Sequence, residues 1–470
     1  MNKGDILELK IEKYAFEGKG IARVDTENSS GKKFIVFVNG AYPGDVVKAR
    51  LKKIKKSYAE AIAEEIVALS PQRITPKCKY FGTCGGCRQQ DLSYEQQVLY
   101  KQQQVEEAFR QNGLKDFLTE KIIPSENIFY YRNKMEFSFS DLRWLTEEEI
   151  KSDGKIERDF ALGLHIPKSF DKVLDIDECF LQSEVSARIL NFTRDFFKQK
   201  NTSIYSTKTH TGYLRNLVIR QSAHTNDLMV NLVTSLEDEN LLKEYSSDLK
   251  VNFNEITTIV NNINLKKAAI AVGDYEKIFL GSGYIYDKIG AYKFRISANS
   301  FFQTNTLQAD KLYQTALDFA ELKGNEIVYD LYSGAGTISI FISGKAKEVY
   351  GFESVESSIF DANENLDINE INNVKFFQSD LYKSFLPVAN SLPKPDVIIL
   401  DPPRSGMHKN TVDDVIKLSP GKIVYVSCNP TTQVRDIKLL TEDGYNLIKI
   451  RPVDMFPHTL HIENVALLVK

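Results

Sequence analysis

The sequence predicts an α/β protein whose C-terminal part is a Rossmann-like, doubly wound sheet, preceded by a small β-barrel and a mixed central domain. Three patterns carry that prediction. From "EIVYDLYSGAG" onward, short apolar strands alternate with helical segments; "EVYGFES", "VKFFQSD", "DVIILDPPR", "KIVYVSCNP" and "ENVALLVK" are the later strands. Residues 1–70 instead show short alternating runs broken by turn signals such as "NGAYPGD", the pattern of a five-stranded barrel. Between them strand-like runs dominate, interrupted by the helical stretch "SEVSARILNFTRDFFKQKN".

The chain of 470 residues divides on these patterns into 1–70, 71–290 and 291–470. "SPQRITP" (70–76) reads as a linker, and a cysteine cluster follows it. "LSYEQQVLYKQQQVEEAFRQNG" then has helical periodicity and stops at Asn112-Gly113. The N-terminus is charged and lacks an apolar signal region, and no run of eighteen apolar residues occurs, so a cytoplasmic protein without membrane association is expected. A formal net charge of −3 excludes a uniformly basic nucleic-acid binder. Charge is uneven, however: "KARLKKIKK" (48–56) holds six basic residues in nine and no acid. Such a run is either a solvated face or a stripe that follows phosphates.

The glycines of "DLYSGAGT" (Asp330, Gly334, Gly336) end the first strand of the C-terminal sheet, where a backbone free of side chains admits a ligand. Ser339 stands where a nicotinamide or flavin fingerprint wants its third glycine, so that reading fails. Glu353 ends the next strand, placed for ribose hydroxyls, and Asp380 ends the third, near an adenine edge. Together these point to S-adenosylmethionine. "DPPRSG" (401–406) ends the fourth strand with a carboxylate, rigid prolines and Arg404, either a plain turn or the wall of a substrate pocket.

Cys428 in "VYVSCNPTT" stands at the C-terminal edge of a strand, where ligands bind in this sheet type. An amine methyltransferase has no use for a thiol there. A uracil C5 methyltransferase does, because C5 is a poor nucleophile until a thiolate adds at C6 and turns the ring into an enolate. A base must later take the C5 proton, and Glu463 of "HTLHIENV" is the candidate. The remaining cysteines, Cys78, Cys84, Cys87 and Cys179, do not suit a disulfide framework. Their spacing fits tetrahedral zinc and an iron–sulfur cluster equally well.

Taken together, the cysteine quartet, "FFQTN", "DPPRSG", "SCNP" and "HIE" resemble the bacterial RNA uracil-C5 methyltransferases, specifically the 23S ribosomal-RNA members with a TRAM domain and a [4Fe-4S] cluster. The resemblance spans nearly the whole chain. It implies an OB-like, RNA-binding TRAM barrel at 1–70, and a [4Fe-4S] cluster on Cys78, Cys84, Cys87 and Cys179 of the central domain. It further implies an S-adenosylmethionine site of Gln303, Tyr332, Glu353, Asp401 and, less directly, Asp380. By the same resemblance Cys428 is the nucleophile, Glu463 the base, and the protein a cytoplasmic monomer acting on 23S rRNA. Tyr332-Ser333 and "GAGT" depart from the family's commoner residues, which leaves the target uridine, and a transfer-RNA substrate, open.

"YYRNKMEF" (130–137) and "GYLRNLVIR" (212–220) interleave aromatic and basic residues and are either RNA platforms or solvated strand faces. Three rivals weigh against the main reading. An RNA cytosine-C5 methyltransferase of the two-cysteine type would carry cysteine where Arg404 stands. A radical or electron-transfer iron–sulfur protein would space its cysteines otherwise. The barrel alone would suit a noncatalytic RNA-binding protein.

Overall fold

Three large sheets and a two-stranded hairpin make up the fold, the first with alternating buried positions and the other two large ones with central strands buried on both faces. The computed structural model describes every residue except 26–32, 153–155, 168, 170, 268 and 269. Strands Ile6–Lys10, Lys13–Ala15, Lys19–Val24, Phe34–Asn39, Val46–Ile54 and Tyr58–Ala68 form one curled sheet of six strands, one more than the turn signals predict. The addition is the three-residue strand Lys13–Ala15, too short to show a period. Val47, Ala49 and Leu51 point into the barrel core with Val36, Val38, Ala59 and Ala61. The alternation therefore turns Lys48, Arg50 and Lys52 outward.

That outward row is not a uniform positive stripe. Lys48 pairs with Glu65 at 2.9 Å, Arg50 grips Glu64 at 2.6 and 2.8 Å, and Lys53 lies 3.7 Å from Glu60. All three acids sit on the neighbouring strand, Tyr58–Ala68. Among the described residues Lys52, Lys55 and Lys56 make no direct ion pair, and all three are exposed.

The central sheet runs, edge to edge, Tyr275–Leu280, Thr258–Ile263, Leu228–Thr234, Leu214–Gln221, Lys134–Ser140, Ala161–His165, Val173–Asp175 and Arg143–Trp144. Helices Glu184–Gln199 and Glu239–Asn252 cover one face, burying Phe137, Leu217, Ile219, Phe197 and Tyr245. The two stretches read as either RNA platforms or solvated strand faces are largely internal. Tyr131 and Tyr213 are buried, and Tyr131 donates to the Pro457 carbonyl at 3.0 Å. Arg215 donates to the carbonyls of Asn264 and Lys266, and Arg220 to those of Ala298 and Ser300. These arginines are cross-links, which a residue list cannot distinguish from surface cations.

The third sheet has the order Val374–Gln378, Glu348–Glu353, Ile327–Leu331, Val397–Leu400, Lys422–Ser427, Glu463–Val469, Asn446–Val453 and Leu118–Thr119. The order reverses beside Ile327–Leu331, the crevice where ligands bind in open α/β sheets. Glu463–Val469 is antiparallel to both neighbours, pairing Ser427 with Asn464 and Val453 with Glu463. The base candidate thus starts a strand next to the one that ends just before Cys428.

Two pieces of the expected central domain join this third sheet. Helix Tyr94–Gln111 lays Val105 and Phe109 into its core cluster, and Leu118–Thr119 pairs with its edge. The hairpin Tyr284–Ile289 and Tyr292–Ser297 packs Ile285, Ile289, Phe294 and Ile296 on its other side, so the 290/291 division falls within that hairpin's turn. Among the described residues no helix is long and apolar enough to cross a membrane.

Candidate active site

Three loops at the C-terminal ends of Val397–Leu400 and Lys422–Ser427 and at the start of Glu463–Val469 converge on Cys428. Pro430 opens helix Pro430–Glu442 and the Asn429 side chain accepts from the Thr431 N–H at 3.1 Å. This cap stops the strand abruptly and leaves Cys428 just before a helix N-terminus. Asn429 also donates to the Arg404 carbonyl at 3.0 Å, and the Thr432 hydroxyl does so at 3.2 Å. Asp436 accepts from the Met407 N–H at 2.8 Å and from the Tyr425 hydroxyl at 2.7 Å. The 401–407 turn is therefore fixed against the Cys428 turn.

Cys428 is half-buried and its thiol is pushed up to about 12, first by burial, then by the charges of Glu463 and Asp401, with Arg404 acting the other way. A helix N-terminus normally favours a thiolate; burial and two carboxyls outweigh it here. Glu463 is buried, and burial followed by the nearby Asp401 raises its carboxyl well above the usual range. Asp401 itself is raised to about 7 by burial and by Asp330. Asp330 is also raised to about 7, mainly by burial, with Glu353 adding to it; its Oδ2 accepts from the Ser339 hydroxyl at 2.6 Å and its Oδ1 has no partner. The cluster thus gathers a thiol, desolvated carboxyls and the Arg404 guanidinium.

Of the residues expected at S-adenosylmethionine, Tyr332, Glu353, Asp380 and Asp401 stand at or just after the C-terminal ends of neighbouring strands of the third sheet, and Gln303 precedes helix Thr306–Ala320. Both carboxylate oxygens of Glu353 are engaged: Oε2 takes the Gly334 N–H at 3.0 Å, and Oε1 takes the Ser354 and Val355 N–H groups at 2.7 and 2.8 Å. A Cβ at Gly334 would meet open space, whereas one at Gly336 would lie 2.5 Å from Phe376. The first glycine therefore leaves room for a ligand and the second serves packing. Tyr332 holds φ = 67°, rare for a bulky residue, and its hydroxyl reaches Thr411 at 3.4 Å. Gln303 is half-buried; its carbonyl accepts from Asn133 at 2.7 Å and its side chain bonds Tyr313. Asp380 is exposed, accepts from the Tyr382 N–H at 3.0 Å and pairs with Lys383 at 3.5 Å.

The four remaining cysteines line one small pocket together with Phe81, Leu164 and Leu181. Among the described residues no three His, Cys, Asp or Glu side chains stand in metal-ligating geometry. The donor chemistry nonetheless suits thiolates: the Gly86 N–H points at Cys84 Sγ at 3.4 Å and Gln90 Nε2 at Cys87 Sγ at 3.3 Å. Burial pushes Cys84 up to about 12 and Cys87 to about 11, and a bound cation would favour their thiolates.

Comparison with known proteins decides the family. The tRNA (uracil-5-)-methyltransferase profile matches residues 222–381 and 392–470, and the TRAM domain profile matches residues 2–63. The chain belongs to the tRNA (uracil-5-)-methyltransferase family. An uncharacterized RNA methyltransferase of Chlorobaculum tepidum is 42% identical over 471 residues, covering 99% of this chain and 96% of that one. One from Bacteroides thetaiotaomicron is 44% identical over 463 residues, covering 97% and 99%. The structure of a Pyrococcus abyssi tRNA (uracil-54, C5)-methyltransferase in complex with S-adenosyl-L-homocysteine is similar at a TM-score of 0.74 and 28% identity, covering 98% of this chain and 100% of that one. This protein is accordingly an RNA (uracil-5-)-methyltransferase with a TRAM domain.

Several polar residues around the methyltransferase site escape a sequence reading. Tyr313, whose hydroxyl bonds Thr337 at 2.9 Å, sits in an ordinary amphipathic helix. Gln97 and Lys101 lie on the buried face of Tyr94–Gln111, which apolar periodicity alone would not mark. The signal available was a lysine and glutamines at three- and four-residue spacing on that face.

Burial of Asp330 gives a pH signature. Its folded carboxyl is raised to about 7, so the neutral acid favours folding below the unfolded value near 4 and that contribution is lost as pH rises to 7. At about 1.4 kcal/mol per unit the loss reaches roughly 4 kcal/mol. Asp330→Asn should flatten the fall in melting temperature between pH 4 and 7 and raise it at pH 8. Parallel melting curves for the two proteins across that range would show the assignment to be mistaken.

Proposed function

We propose that the protein methylates C5 of a uridine in RNA with S-adenosylmethionine as donor, using Cys428 as nucleophile and Glu463 as base. The observation that carries this is the pairing of Ser427 with Asn464, which sets the thiol that follows one strand beside the buried carboxyl that starts the next. When bound, S-adenosylmethionine supplies a methyl group on a positively charged sulfur. Glu353, fixed by its backbone donors, and Gln303, Tyr332 and Asp401 are the residues to hold it, with Asp380 at the outer edge.

Cys428 gives its proton to solvent water and adds to C6, forming an S–C6 bond while the ring π electrons move to the C4 oxygen as an enolate. C5 then takes the methyl group, and the electrons of the broken carbon–sulfur bond remain with the departing sulfur. Glu463 removes the C5 proton, the electrons of that bond restore C5=C6, and Cys428 leaves as thiolate to be reprotonated. The C5 proton is the one finally released. Because the Glu463 carboxyl is raised by burial, this last step should quicken with pH to well above the ordinary carboxylate range.

In this reading the enzyme is a cytoplasmic monomer and 23S rRNA is the substrate class, as the resemblance of its motifs implies. A transfer-RNA uridine is the second reading, favoured by likeness over nearly the full chain to a tRNA (uracil-54, C5)-methyltransferase. Mapping the methylated nucleotide lost from ribosomal and transfer RNA in a deletion strain separates the two. Cys78, Cys84, Cys87 and Cys179 would hold a [4Fe-4S] cluster, which would tie residue 179 to residues 78–87 and take no electron in the reaction. The purified protein should then be brown and contain iron and sulfide in equal amounts; a colourless, active protein with stoichiometric zinc would overturn this.

The two catalytic substitutions should fail at different points. Cys428→Ala should bind RNA and form no covalent bond. Glu463→Gln should attack and methylate, then accumulate an RNA–protein adduct stable to SDS and heat. An adduct from Asp401→Asn and none from Glu463→Gln would move the base to Asp401. On the barrel, replacing Lys52, Lys55 and Lys56 with glutamine should lower the log–log salt slope of RNA binding by about 2–3. An equal drop on replacing the paired Lys48, Arg50 and Lys53 would show that ion pairing does not decide which cations meet phosphate.

A further inference from the structure

The connection 454–462 leads from the strand Asn446–Val453 to Glu463, and four successive carbonyls of it are held by four different parts of the chain. Asn305 donates to Met455 at 2.9 Å, Lys101 to Phe456 at 3.0 Å and Tyr131 to Pro457 at 3.0 Å. The His458 carbonyl accepts the N–H groups of Arg88 and Gln89 at 2.8 and 3.1 Å, directly after Cys87.

His458 is the turning point of this connection. It holds φ = 64° and is buried, stacked on Phe129 at 4.4 Å between ring centroids. Gln97 grips it twice: Oε1 accepts the His458 N–H at 2.8 Å and Nε2 lies 3.2 Å from ring Nδ1. The chain then returns through Thr459, whose hydroxyl donates to Phe456 at 2.8 Å and accepts the His461 N–H at 3.2 Å, two residues before Glu463.

We infer that His458, held by Gln97, is a positioning residue for Glu463, fixing where the carboxyl meets the C5 proton and tying that place to the cysteine segment. His458 is hydrogen-bonded to Gln97, Arg88 and Gln89 and not to Cys428 or Glu463. Its influence should fall on the final proton removal, because Cys428 is set by its own cap at Asn429 and the strand Lys422–Ser427. The inference rests on Glu463 being the base.

The test uses the full-length protein, unmethylated RNA from a deletion strain and methyl-labelled S-adenosylmethionine in single turnovers. Two rates are read, label entering RNA and decay of the SDS-stable adduct. His458→Ala should slow adduct decay by roughly 10–100-fold while label entry stays within about 3-fold, the scale of loss expected for a misplaced catalytic group. His458→Asn should recover most of the decay rate, since asparagine tolerates the left-handed backbone and offers an acceptor to Gln97. Should His458→Ala fail to fold, Gln97→Met, which keeps the volume and removes both bonds to His458, should give the same slow decay.

Decay at the wild-type rate, equal slowing of both rates, or no recovery with asparagine would overturn the inference. Glu463→Gln, run alongside, separates the two assignments. If it forms no adduct, the base itself is misassigned; if it traps adduct while His458→Ala and Gln97→Met do not, only the positioning role falls.

Discussion

The ion pair between Lys101 and Asp454 fixes how the parts of this molecule meet. Lys101 Nζ lies 2.7 Å from Asp454 Oδ1, with the two side chains 1% and 0% exposed. Removing two charges from water is costly, so such a pair contributes little net stability. Losing one partner is another matter: an uncompensated buried charge costs about 3–5 kcal/mol. Its value is geometric. Tyr94, Gln97, Lys101 and Gln104 recur at three- and four-residue spacing on helix Tyr94–Gln111, and together they reach three segments of the chain. Tyr94 reaches Asp454, Gln97 reaches His458 and the carbonyls of Gln89 and Leu92, and Gln104 reaches Ala15 of the barrel. One helix face thereby orients barrel, cysteine segment and catalytic sheet.

The same low-dielectric interior governs the reactive cluster. Asp330, Asp401 and Glu463 share a region with a single arginine, Arg404, and all three carboxyls are raised by burial. Incoming positive charge would favour the ionised forms of these carboxyls and of the Cys428 thiol. A sulfonium is such a charge.

Much of this was legible in the sequence because it is local. Strand ends, glycines and the cap at Asn429 are set by neighbours a few residues away, so "DLYSGAG", "DPPRSG" and "SCNP" announce turns at one edge of a sheet. Long-range pairing is not local. The acids that neutralise Lys48, Arg50 and Lys53 sit on another strand, and Arg215 and Arg220 look like surface cations until the carbonyls they hold are placed beside them. Gln97 and Lys101 were hidden for a related reason. A polar residue on a helix reads as solvent-facing unless its partner, here more than 350 positions away in Asp454 and His458, is known.

The antiparallel strand Glu463–Val469, wedged between Lys422–Ser427 and Asn446–Val453, has a consequence for how this family can diverge. Side chains alternate faces along a strand, so sliding Glu463–Val469 by one position would turn residue 463 away from Cys428 and exchange Val465 and Leu467 with Ala466 and Leu468 between the two cores that cover the sheet. Substitutions in the connection before it are absorbed one side chain at a time. An inserted or deleted residue is not, because both ends of that connection are locked by Val453 paired with Glu463. Drift in this region should therefore proceed by exchange of residues at constant length, with changes of length confined to turns outside it, such as the one at 443–445.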